Sequence, residues 1–290
     1  MKTLRILNLG AGVQSTTVLL MACKGILPKF DAAIFADTQW EPKEVYEHLA
    51  WLAGVSGAAG IPVLQVTAGN LREDSLAFLY DHKSQGRRAA MLPFFIKNPD
   101  GSRGKANRQC TSDYKVEIIE QTIRRQILGV KPGHRVPEGV QVIQAMGISS
   151  DEVRRARGRG DYWRQTQYPL CRIGDETLPA PMSRHDCLAW LGKYYPGRVV
   201  PRSACIGCPF HDDNEWLAIK AKPEQWADAV DFDHKAREAD DRRIGETNAL
   251  LGRRYLHDSL VPLDEVILKP RAVVDQVGFW REECLGMCGV

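Results

Sequence analysis

Leu4-Arg5-Ile6-Leu7-Asn8-Leu9-Gly10-Ala11-Gly12-Val13-Gln14-Ser15-Thr16 stands near the start of the chain and decides its fold. Residues 4–9 read as a short buried strand. A glycine-rich turn follows over 10–15, and residues 16–23 read as the start of a helix. Residues 32–36 (AAIFA) are a second buried strand that ends at Asp37-Thr38. Residues 41–52 have helical spacing, with Val45, Leu49 and Leu52 on one face. Residues 62–66 (PVLQV) are a third strand. Strand, helix, strand, helix, strand in so short a span predicts a doubly wound parallel sheet. Residues 140–146 (VQVIQAM) add a strand, and residues 111–128 a helix with Val116, Ile119, Ile123 and Ile127 inward. Residues 71–108 read as a loop-rich excursion near the carboxyl edge of the sheet. A helix is expected over 183–191, and after Pro209 the chain reads as helical and acidic through Trp216, Ile219, Trp226 and Val230. The expected class is α/β: a doubly wound, mostly parallel five-stranded Rossmann-like sheet over residues 1–200, with a Cys-bearing helical C-terminal region over 201–290.

The 290 residues are 44% hydrophobic and 26% charged, as in ordinary soluble globules, which argues against a disordered, collagen-like or membrane protein. The net charge of +3 is too small to argue for nucleic-acid binding. Its distribution is more informative. Between Gly101 and Gly160 there are twelve Lys and Arg against six Asp and Glu, whereas between Cys205 and Leu250 there are six against eleven. A basic middle attracts phosphates. The uncharged run over 6–23 contains Asn8, Gln14, Ser15, Thr16 and Thr17, so it reads as neither a signal segment nor a membrane span. A cytoplasmic protein without a membrane partner is expected.

A glycine-rich turn between a first strand and a first helix is suited to phosphate. Its backbone N–H groups can approach closely, and the helix N-terminus adds partial positive charge. The turn is not a GxxxxGK[ST] loop, and Ser15 stands where a dinucleotide fingerprint has its third glycine. Residues 10–16 (GAGVQST) resemble the PP-loop, SGGxDS/T, of the adenine-nucleotide α-hydrolase superfamily. Phe35-Ala36-Asp37-Thr38 with Glu41 resembles the FxDT segment of phosphoadenosine phosphosulfate (PAPS) reductases. Residues 108–115 (RQCTSDYK) resemble their R-x-C-x4-K segment. Residues 147–152 (GISSDE) with Arg154 and Arg155 resemble their GIRxDES-RR loop, and Tyr168-Pro169-Leu170 is similar to their YPL region. The five matches run in order over about residues 4–210. The resemblance implies a PP-loop fold that binds ATP or a sulfonucleotide (adenylylsulfate, APS, or PAPS) through Gly10, Ala11, Gly12, Val13, Gln14, Ser15, Thr16, Asp37, Thr38, Lys115, Gly147, Arg154 and Arg155. Gly10, Ala11 and Gln14 depart from the motif's Ser, Gly and Asp. The motif's Asp would help to hold magnesium, and an amide is a poorer ligand for a hard cation. That makes Asp37 the candidate replacement and a candidate catalytic residue.

The eight cysteines are Cys23, Cys110, Cys171, Cys187, Cys205, Cys208, Cys284 and Cys288. A reducing compartment argues against a disulfide framework, so clustered thiols point to metal, redox or sulfur chemistry. Cys205-Ile206-Gly207-Cys208-Pro209 is a CxxC whose spacing allows two thiolates on one metal centre. Together with Cys110 it is similar to the cluster-bearing members of the PAPS reductase family, which implies a [4Fe-4S] cluster on Cys110, Cys205 and Cys208. The fourth ligand is open among Cys171, Cys284, Cys288 and none. Zinc is the alternative metal. Cys23 and Cys187 read as core residues. Glu283-Cys284 resembles the family's nucleophilic tail cysteine, so Cys284 and Cys288 are candidate catalytic thiols.

Three functions follow. The first is ATP-driven adenylation of an acceptor, such as tRNA or DNA, followed by thiolation from a sulfur donor. The second is a PAPS/APS reductase that releases sulfite through a C-terminal Cys, with a thiol reductant. The third is a nucleotide-binding module stapled by zinc on Cys205, Cys208, Cys284 and Cys288.

Overall fold

The opening apolar run is extended as β1 (Lys2–Asn8), and the turn after it delivers α1 (Val13–Cys23). The computed structural model describes residues 2–81, 92–156, 161–242 and 252–270. β2 (Ala32–Asp37), α2 (Lys43–Ala58) and β3 (Val63–Thr67) follow in the expected alternation. β6 (Val140–Met146) pairs with β1 from Lys2↔Val140 to Asn8↔Met146, and β7 (Arg164–Gln167) adds to it. The sheet order is β3-β2-β1-β6-β7, with every pairing parallel.

Alternation along the strands sends side chains to two covered faces. Leu7, Ala33 and Phe35 pack with Val18, Leu19, Leu52 and Leu191. Ile6, Ala32, Ile34 and Ala36 pack with Ile119 and Ile123 on the other side. The doubly wound α/β class is therefore present. α1 lies between the sheet and α5 (Arg184–Tyr194), so its residues 13–22 are buried all round. α5 begins at a capping box in which the Ser183 hydroxyl accepts from the Asp186 N–H.

Two stretches differ from expectation. Residues 71–108 contain α3 (Leu71–Asp81) and an antiparallel hairpin, β4 (Phe95–Lys97) and β5 (Arg103–Lys105). The helix expected over 111–128 is wound as a π-turn (Ser112–Val116), a short α4 (Glu117–Thr122) and a second π-turn (Ile123–Ile127). Beyond residue 200, α6 (Asp213–Lys220) and α7 (Pro223–Arg242) are helical as expected, and β8 (Arg253–Tyr255) completes a three-stranded sheet β5-β4-β8. These helices close a second core around Trp40, Leu71, Phe94, Trp216 and Phe232, and Cys110, Cys205 and Cys208 lie in it. Among the described residues, no helix is long and apolar enough to cross a membrane.

Candidate functional site

The strand order reverses between β1 and β6. In open parallel sheets, ligands bind outside the carboxyl ends at such a switch point. The turn after β1 lies there, with Ala11 in the left-handed region at φ 58° and Gly12 as the N-cap of α1 without a side-chain cap. The loop after β6 is laid directly on it. A Cβ added at Gly147 would meet the Ser15 nitrogen at 2.6 Å, so only glycine fits there. Gln14 is fully buried. Its amide donates to Ser149 Oγ at 3.4 Å and to Glu152 Oε2 at 3.2 Å. Arg155 pairs with the other Glu152 oxygen at 2.8 Å, and Arg154 is exposed. Ser15 Oγ donates to the Gly12 carbonyl at 3.3 Å. Thr16 Oγ1 is 2.9 Å from His48 Nε2, and Arg198 donates to His48 Nδ1. Burial, and then Arg198, lowers the His48 pKa to about 4, so the ring is neutral and its Nε2–H donates to Thr16.

Asp37 ends β2, but its carboxylate is already engaged. It accepts from the Gln39 N–H at 2.7 Å, Tyr46 Oη at 2.8 Å and Gln65 Nε2 at 2.8 Å. Burial and this carboxylate push the Tyr46 pKa above its ordinary value. Thr38 donates to Glu41 Oε1 at 3.0 Å, and Lys115 reaches the same oxygen at 3.6 Å; all three side chains are buried. The π-turn at Ser112–Val116 sets where Lys115 points relative to Cys110. π-turns inside helices recur at functional sites.

Cys110, Cys205 and Cys208 line one pocket with Thr38, Arg108 and Lys115. Leu71, Leu92 and Pro93 form its apolar wall, and Phe210 lies at its edge. The CxxC turn is held from three directions. The Ile206 N–H donates to the Trp40 carbonyl at 2.9 Å. The Cys205 carbonyl accepts from the Cys208 N–H at 3.1 Å and from His211 Nε2 at 2.9 Å. Gly207 faces the Trp40 indole, where a Cβ would come within 2.0 Å of the ring. Burial, and then Arg202, lowers the His211 pKa to about 3, which keeps the ring neutral. The Cys205 thiol is pushed well above its ordinary pKa, first by its hydrogen bond with Cys208, then by burial, with Glu41 and Cys110 adding to the effect.

Three sulfur donors on one pocket are a soft ligand set of the kind that suits an iron–sulfur cluster or zinc. Among the described residues, no group of three or more His, Cys, Asp and Glu is found ready to hold a metal ion. A metal centre there would have to displace the proton held on Cys205. Cys171 is elsewhere. Its thiol donates to the Ile148 carbonyl at 3.2 Å, and burial with Asp151 and Glu152 raises its pKa to about 11. Cys187 is fully buried, its pKa raised by burial to about 12, as suits a core thiol. Cys23 is only partly buried at the end of α1. Cys284 and Cys288 lie outside the described residues.

No motif or spacing in the sequence pointed to Ser203. It lies two residues before the CxxC and sits on the glycine-rich turn, where Cβ atoms on Gly10 and Gly12 would each meet its side chain at 3.2 Å. Gly10, Ala11 and Gly12 are all buried. The cysteine turn and the glycine turn thus adjoin through Ser203. No protein-family model, no curated protein and no solved structure matches this chain.

Proposed function

We propose that this chain is an adenine-nucleotide-dependent sulfur-transfer enzyme. It adenylates an acceptor oxygen with ATP, releasing pyrophosphate, and sulfur then replaces the AMP. The observation that carries this reading is the meeting of Cys110, Cys205 and Cys208 with Thr38 and Lys115 in one pocket beside the glycine-rich turn. The likeness of five segments to the PAPS reductase family supports the same reading. A four-iron cluster on the three cysteines would supply a thiophilic centre that carries sulfur. The other roles belong to the chain. The α1 N-terminus and the turn before it receive phosphate. Lys115, buried against Glu41, supplies a fixed positive charge where an oxyanion develops. Leu71 and Leu92 keep water from the sulfur.

The test is iron, acid-labile sulfide and zinc content after anaerobic purification, followed by turnover with ATP and with adenylylsulfate. About four iron and four sulfide per chain are expected, with loss of both in Cys208→Ala. Pyrophosphate should be released from ATP in the presence of acceptor. Sulfite release from adenylylsulfate without use of ATP would replace this reading by sulfonucleotide reduction. One zinc without sulfide or turnover would make the chain a stapled nucleotide-binding module.

A further inference from the structure

The small sheet β5-β4-β8 has one face turned inward, and its other face is exposed along the Arg103, Lys97 and Arg253 row while Tyr255, opposite Phe95, is buried. Ile96 and Arg254 are buried on the inner face, where Arg254 pairs with Asp240. The register puts Lys97 directly between Arg103 and Arg253, and all three are exposed. Directly paired residues of an antiparallel sheet share a face, and strands lie about 4.8 Å apart, so the three cations cross the outer face in a row roughly 10 Å long. One pair further along, on the same face, the register sets Lys105 opposite Phe95. The Lys105 ammonium lies 3.9 Å from the Phe210 ring centroid and 5.9 Å from that of Phe95. Arg108 lies 5.1 Å from the Phe210 ring. Phe210 and Arg108 in turn line the thiol pocket. Cations and aromatic rings therefore run without a break from the outer sheet face to the pocket edge.

We propose that this face docks a single strand of nucleic acid whose base is the sulfur acceptor, an inference that rests on the sulfur-transfer reading above. Lys97, Arg103 and Arg253 hold phosphates. Phe210, flanked by Lys105 and Arg108, stacks the base at the pocket edge, as aromatic and guanidinium planes do with unpaired bases. Asp241 pairs with Arg253 at 2.8 Å, and Arg103 donates to the Asp258 carbonyl. Among the described residues the one carboxylate paired with the row, that of Asp241, is half-exposed, and an exposed pair of this kind is weak, so the row stays positive. The basic middle of the sequence lacks aromatic residues for stacking, with Tyr114 alone and buried, and the fold supplies them from Phe95 and Phe210 on either side.

The experiment is fluorescence anisotropy of the full chain with a labelled, unstructured oligonucleotide of about 15 nucleotides, as RNA and as DNA, over a salt series without ATP. Wild type should bind at least one of the two. The triple variant Lys97→Gln, Arg103→Gln, Arg253→Gln should keep its thermal midpoint, bind about tenfold or more weakly, and lower the log–log salt slope by about two. Phe210→Leu should weaken binding about tenfold with the slope unchanged. Unchanged affinity and slope in the triple variant would overturn the proposal. So would equal binding of a duplex of the same length, or equal competition by polyglutamate. A chain that binds the strand at this face but never uses ATP would defeat the sulfur-transfer reading and leave the docking surface standing. A chain that thiolates a small acceptor but ignores the strand would do the reverse.

Discussion

His48 shows how one buried side chain controls the first turn of α1. It is 1% exposed and holds Thr16 with one ring nitrogen while Arg198 holds the other. The pKa is about 4 in the folded chain against 6.5 for an ordinary histidine, so the unfolded chain binds the extra proton first as pH falls. The stability tied to the neutral ring is whole above pH 6.5 and is lost as pH falls from there towards 4. The full loss is about 3 kcal/mol from this group. Urea denaturation at pH 7 and pH 4.5 should therefore show wild type losing about 2 kcal/mol more than His48→Gln. His211 protonates over the same range but is present in both proteins, so the difference isolates His48. Equal losses in the two proteins would mean that His48 is not held neutral. No sequence pattern pointed to this residue, because a lone histidine on a helix carries no signal until Arg198, 150 positions away, is packed against it.

Among the elements, α7 joins the C-terminal part of the chain to the thiol pocket. Ala229, Phe232, Ala236 and Ala239 form the apolar part of its buried face, in which Phe232 is the one large ring, beside the buried Asp233, Arg237 and Asp240. Phe232 lies 4.6 Å from Trp40 and 5.9 Å from Phe94, and Trp40 in turn backs Gly207 and receives the Ile206 N–H. Phe232→Ala should cost about 3–5 kcal/mol in denaturant midpoint at unchanged m-value. Lys235→Ala on the exposed side of the same helix should cost no more than about 0.5 kcal/mol. A loss below about 1 kcal/mol in Phe232→Ala would show that the helix is not anchored through this ring. Legible in the sequence were β1, β2, β3 and β6 as apolar runs, α2 by its apolar period, α1 from its place after the glycine-rich turn, and α5, α6 and α7 as helices in their expected stretches. β7 reads Arg-Gln-Thr-Gln and was not legible. As an edge strand it needs only backbone pairing to β6, and its buried Arg164 is satisfied by Glu120 and Asp161. β4, β5 and β8 are three residues each, too short to show alternation, and β8 joins β4 only from the far C-terminal side of the chain, with Tyr255 opposite Phe95.

On the scale of the whole molecule, the two halves of the site come from opposite ends of the sequence. The glycine turn was legible from its place between strand and helix, and the thiols from the CxxC spacing. Their junction was not legible, because it depends on Ser203 lying against Gly10 and Gly12, a contact that exists only once α6 and α7 are packed on Trp40 and Phe94. That junction has a consequence for binding. On the nucleotide-binding reading proposed above, phosphate entering the buried turn would displace the Ser203 side chain that lies against Gly10 and Gly12, and Ser203 is covalently two residues from Cys205. On that reading nucleotide binding and exposure of the thiols are linked, and linkage between two binding events is reciprocal. Saturating ATP should raise the alkylation rate of Cys205 and Cys208 by iodoacetamide at least several-fold in metal-free protein, with the core thiol Cys187 as the unchanged reference. Peptide mass spectrometry of the alkylated residues reads this directly. In Ser203→Gly, which leaves the turn uncovered from the start, the thiols should react faster without nucleotide and ATP should add little. ATP that binds wild type without changing the rate would mean that phosphate enters by a path that leaves Ser203 in place.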